Sequence, residues 1–84
     1  MSKVKIYTKS YCPYCEAAKR LFSLKKIPFD VVDVTNDEAA LSKLIEKTGH
    51  QTVPQIFIGE KFIGGFDDVS ALDQNGELDK LLSK

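Results

Sequence analysis

From Lys3 to Thr8 the chain alternates, with Val4, Ile6 and Thr8 on one side and Lys5 and Tyr7 on the other, a period of two that predicts a β-strand. After Pro13 the period lengthens. Ala17, Ala18, Leu21, Phe22 and Leu24 recur at helical spacing, opposite Glu16, Lys19, Arg20 and Ser23, which predicts a helix that begins at Pro13 and stops before Pro28. Phe29 to Val34 reads as a second strand. Thr35-Asn36-Asp37-Glu38 has the capping-box pattern and opens a helix through about Thr48, with an apolar stripe of Ala40, Leu41, Leu44 and Ile45 and a stop at Gly49. Two apolar runs, Gln55–Ile58 and Lys61–Ile63, flank Gly59-Glu60 and predict a hairpin with a two-residue turn; Gly64-Gly65 ends its second arm. A last helix, N-capped by Asp67, carries Val69, Leu72, Leu78, Leu81 and Leu82 and is interrupted near Asn75-Gly76. The order is β-α-β-α-β-β-α, an α/β class in which a parallel crossover and a hairpin combine into a mixed four-stranded sheet flanked by helices.

Length and charge narrow the classes of function. Eighty-four residues support one domain, 1–84, with one core. Twelve Lys and Arg balance twelve Asp and Glu, so the expected partners are small molecules or proteins, with no nucleic acid and no membrane surface. The segment Met1–Lys5 breaks its apolar residues with lysines and has no leader-like core, and no run approaches the roughly 20 apolar residues of a span. The expected location is cytoplasmic and reducing.

That setting bears on the chain's two cysteines, Cys12 and Cys15, which lie C-x-x-C between the first strand and first helix. In a reducing compartment such a pair reads as catalytic or metal-binding before structural, and a disulfide this short closes too small a loop to restrain the unfolded chain much. A zinc site needs four ligands, and only His50 obviously supplements the pair. Three groups around the first thiol favour a thiolate: the N–H groups and dipole of the helix start, the Lys9 ammonium, and the second thiol as a donor. Cys12, nearer the helix end, is expected to attack, and Cys15, one turn inside, to resolve.

Beyond the cysteines, Cys12-Pro13-Tyr14-Cys15, Thr52-Val53-Pro54 and Gly64-Gly65-Phe66-Asp67-Asp68 together resemble the dithiol active site, proline loop and glycine-pair tail of small bacterial glutaredoxins, in order and spacing over essentially the full chain. The resemblance implies a thioredoxin-like fold with Pro54 cis, glutathione as reductant and co-substrate, and no metal requirement. It implies that Thr52, Val53 and Pro54 hold the cysteinyl part of glutathione, with Val53 pairing through its backbone N–H and C=O like a short added strand. Gly65, Phe66, Asp67 and Asp68 would hold the γ-glutamyl end: backbone N–H groups on the carboxylate, chiefly Asp68 on the ammonium. Tyr14 would line the groove, and Lys9 would meet the glycyl carboxylate. Tyr11 reads as a packing residue and His50 as a solvent-facing loop residue. One position departs from the family pattern: Leu41 stands where a glutamine or basic residue often meets the glycyl carboxylate, leaving Lys43, Gln51 or Lys9 to serve.

The function this implies is a glutathione-dependent thiol-disulfide oxidoreductase, monomeric, acting on glutathionylated or disulfide-containing proteins. Two rivals stay open. A thioredoxin-like reductase fed by another donor is disfavoured by the absence of tryptophan, the Pro-Tyr interior and the Gly-Gly-x-Asp-Asp tail. An iron-sulfur cluster carrier, sharing a cluster between two subunits through Cys12 and two glutathiones, is more typical of relatives with one active-site cysteine.

Overall fold

The computed structural model describes residues 3–83, so Met1 and Ser2 of the N-terminal reading, and Lys84, lie outside the described residues. Strands β1 (Val4–Thr8), β2 (Phe29–Asp33), β3 (Gln55–Ile58) and β4 (Lys61–Gly64) form one sheet in the order β2-β1-β3-β4. β1 pairs parallel with β2 across helix α1 (Pro13–Leu24), and antiparallel with β3. Helix α2 (Glu38–Thr48) leads from β2 to β3, and α3 (Phe66–Gln74) and α4 (Glu77–Leu82) follow β4. This is the mixed sheet the patterning predicts. The terminal helix is two helices, parted where Asn75-Gly76 suggests, because Gly76 turns into the left-handed region at φ 79°.

The alternation of side chains along each strand sorts the core into two layers. Val4, Ile6, Ile56 and Ile58 turn to one face and bury against Ala18 and Phe22 of α1, Val69 of α3, and Leu78 and Leu82 of α4. On the other face Phe57 meets Tyr7 edge-on at 5.6 Å, Phe62 at 5.3 Å and the Lys47 ammonium of α2 at 5.4 Å. Lys25, just past α1, ties the first layer together through Asp73 (2.6 Å) and Asp79 (3.2 Å).

Two helix starts differ from the sequence reading. Asp37 caps α2, accepting the Ala40 N–H at 3.0 Å. Thr35 is drawn away because its N–H and hydroxyl both bond Asp33 Oδ1, while its hydroxyl oxygen accepts the Ser10 N–H at 2.8 Å. At α3 the cap position is Gly65, and Asp67 lies in the first turn. Asp68 Oδ2 accepts the Gly65 N–H at 3.1 Å, so the chain enters the helix two residues before Asp67.

Candidate active site

The loop from β1 delivers Cys12 to the N-cap of α1, where its own sulfur serves as the cap: Sγ accepts the Cys15 N–H at 3.2 Å. A thiolate at that position meets an N–H that the helix leaves unpaired, and Pro13 at the first helical position has no N–H to leave. Cys12 is half-buried, Cys15 fully buried, and both are free thiols. Burial pushes the Cys15 thiol up to about 12 from an ordinary value of 9.0, and the hydrogen bond with Cys12 and that residue's charge push the same way. A backbone hydrogen bond from Lys9 and the charge of Lys19 oppose the shift without cancelling it. Cys15 therefore keeps its proton at neutral pH, while Cys12 is the more accessible of the two sulfurs.

Facing Cys12 is the loop between α2 and β3. The Val53–Pro54 peptide is cis, as the resemblance implies, and the Val53 carbonyl lies 3.7 Å from Cys12 Sγ, the thiol donating. From there a groove of about 270 Å³ runs between two walls. Thr52, Val53 and Pro54 form one; Gly65, Phe66, Asp67 and Asp68, at the start of α3, form the other. Tyr14 closes it near the cysteines, its ring 6.4 Å from that of Phe66. Gly64 is required beside this wall: its φ is 134°, and a Cβ there would come within 2.9 Å of the Asp68 Cβ.

Most of the residues singled out from sequence thus converge on one surface, with three differences. Lys9 is exposed at the end of β1 and does not line the groove. Tyr11 does not pack: it is fully exposed, because the chain turns through a left-handed conformation there (φ 57°) and carries the ring away from the core. His50 is a loop residue, as expected, but only partly exposed. Its ring sits 5.7 Å from that of Phe62, its Nε2 is 3.2 Å from Thr52 Oγ1, and it lines the groove. Leu41 is half-buried and, like Lys43 and Gln51, stands outside the groove lining. Gln55 is buried as well, and one polar residue in an apolar strand directly after the proline is the sequence signal for such a hydrogen-bonding role.

Comparison with known proteins agrees with this geometry. The family model described as Glutaredoxin matches residues 4–63. The chain is 48% identical over 82 residues to Glutaredoxin 3 of Escherichia coli, covering 98% of this chain and 99% of that protein. Among solved structures, a buckwheat glutaredoxin-glutathione complex superposes with a TM-score of 0.92 at 32% identity, over 98% of this chain and 77% of that one. A glutaredoxin from Brucella melitensis does so at 0.87 and 43%, over 98% and 89%. The fold is thioredoxin-like, and the chain, with Cys12 and Cys15 in the family's dithiol position, belongs to the glutaredoxins, a family of thiol-disulfide oxidoreductases.

Proposed function

We propose that the chain reduces protein-glutathione mixed disulfides, with glutathione as electron donor, and reduces protein disulfides by a second route through both cysteines. The observation that carries the reading is the groove itself, which begins beside Cys12 and ends at the N-terminus of a helix bearing Asp67 and Asp68. Those dimensions and groups suit a tripeptide thiol. Its cysteinyl backbone pairs with Val53, its γ-glutamyl carboxylate takes the N–H groups of Phe66 and Asp67, and its ammonium takes Asp68, whose second carboxylate oxygen is left over from the bond to Gly65. Leu41 has no polar side-chain atom, so the glycyl carboxylate would have to reach past the groove lining to a flexible side chain, Lys9, Lys43 or Gln51. A buckwheat relative has been solved with glutathione bound, which supports the same ligand class here.

In the first route the Cys12 thiolate attacks the glutathione sulfur of the mixed disulfide. The Cys12–sulfur bond forms as the old disulfide breaks, and the target protein leaves as a thiolate that takes up a proton. A second glutathione thiolate then attacks the glutathione held on Cys12, oxidised glutathione departs, and Cys12 is restored. The target sulfur is reduced, and the glutathionyl group it carried leaves joined to one free glutathione as the oxidised disulfide. In the second route Cys12 forms a mixed disulfide with the target, Cys15 loses its proton and displaces the target, and the resulting Cys12–Cys15 disulfide is reduced by two glutathiones. Dithiol proteins of this kind have potentials of roughly −200 to −230 mV, near that of a glutathione pool, so either direction is open to mass action.

The test compares electron donors. Turnover of a glutathionylated protein is measured with glutathione and glutathione reductase, and separately with a thioredoxin reductase. The proposal expects at least about tenfold faster turnover with glutathione, a margin of 1.4 kcal/mol in the barrier. Equal or faster turnover with the flavoprotein would overturn it.

A further inference from the structure

Gln55, the first residue of β3, is fully buried, one of only two buried polar side chains among the described residues. Its carboxamide faces the segment that joins α2 to β3. The Nε2 group donates to the carbonyls of both His50 and Thr52, the latter at 3.2 Å, and Oε1 accepts from the Thr48 hydroxyl at 2.9 Å. The orientation of the amide follows from chemistry. Two carbonyls can only accept, so the amide nitrogen must face them; a flipped amide would set its oxygen against both.

The bond to Thr52 has a directional consequence. The peptide between Thr52 and Val53 is trans, the cis bond being the next one, and in a trans peptide the C=O and N–H point in opposite directions. Drawing the Thr52 carbonyl inward to the buried carboxamide therefore turns the Val53 N–H outward, to the groove that Val53 lines. The following carbonyl, that of Val53, is the one 3.7 Å from Cys12 Sγ. We propose that Gln55 is a positioning residue for glutathione: by fixing the Thr52 carbonyl it aims the Val53 N–H at the cysteinyl carbonyl of the ligand. Gln55 is fully buried, lines no part of the groove and bonds neither cysteine sulfur, so it acts through the Thr52 carbonyl. The inference rests on the glutathione reading above and adds to it the residue that orients the groove's pairing edge.

The test titrates wild-type protein, Gln55→Met and Gln55→Asn with S-methylglutathione, an unreactive probe, following backbone amide resonances, and measures alkylation of Cys12 by iodoacetamide in parallel. Methionine has similar length and no donor; asparagine keeps the donor on a shorter stem. Gln55→Met should bind at least about tenfold more weakly and lose the Val53 amide shift, Gln55→Asn should fall between it and wild type, and Cys12 alkylation should stay within about twofold throughout. A folded Gln55→Met with wild-type affinity would overturn the assignment. So would a loss of affinity matched by an equal loss of alkylation, since that is what general disruption of the site gives. Should Gln55→Met not fold, Gln55→Asn decides: binding at least about threefold weaker with unchanged alkylation supports the role, and wild-type affinity overturns it. Failure of the wild-type protein to bind the probe is a separate result; it removes the glutathione reading and this inference with it.

Discussion

Cys15 holds its proton for two kinds of reason, and they part company during turnover. Once Cys12 enters a mixed disulfide, its hydrogen bond and charge no longer act on Cys15, while the desolvation remains. In the proposed dithiol route Cys15 would thus be restrained while Cys12 attacks and partly released once Cys12 is held in the mixed disulfide. The same shift has a stability consequence with a definite sign. The folded value, about 12, lies above the ordinary 9.0, so the contribution is complete below pH 9 and is lost as pH rises through 12. In that window the unfolded chain has shed a proton the folded one keeps, giving a slope of at most about 1.4 kcal/mol per pH unit. Urea unfolding of reduced wild type and Cys15→Ser between pH 8 and 11 should show their stability difference shifting against the wild type as pH rises. Parallel curves would refute the burial account. At this scale the cysteines were legible because the change of period from two to helical at Pro13 puts the C-x-x-C pair at a helix start. Tyr11 and His50 were not, because a left-handed turn and a ring from β4 decide them, and for Gln55 the pattern signals burial but not its partners, the carbonyls of a folded loop.

Among the elements, α4 depends on its neighbours. Six residues cannot sustain a helix alone, so its existence rests on burying Leu78 and Leu82 against the layer that also holds Phe22 and Val69. Leu78→Ala should cost about 2 to 5 kcal/mol in urea unfolding, the range for a fully buried leucine. A cost under about 0.5 kcal/mol would mean that α4 is not part of the core. Element type and order could be read from periodicity, because each strand and helix shows its own repeat. The caps could not. Thr35 and Asp37 are both good caps by residue type, and the choice was made by Asp33 and Ser10, which claim Thr35. Asp67 was likewise displaced once Asp68 reached back to Gly65.

For the whole molecule, the sheet order explains why residues far apart in sequence share one groove. β1 and β3 are antiparallel neighbours, so the end of β1 that leads to Cys12 lies beside the start of β3 that follows Pro54, and β4 then brings the start of α3 alongside. The patterning implied a mixed sheet; the resemblance, carried by the three motifs, implied that their residues meet. Neither indicated how the groove wall is oriented, which depends on packing across the sheet. The central claim is that Cys12 alone carries the glutathione chemistry and that Cys15 serves only the dithiol route. It is tested most directly by steady-state turnover of a glutathionylated protein, with glutathione as donor, by Cys12→Ser and Cys15→Ser. The account expects Cys15→Ser to retain the activity within a few-fold and Cys12→Ser to lose it entirely, at least about a thousandfold, as removal of a covalent nucleophile does. Full deglutathionylation by Cys12→Ser would contradict it.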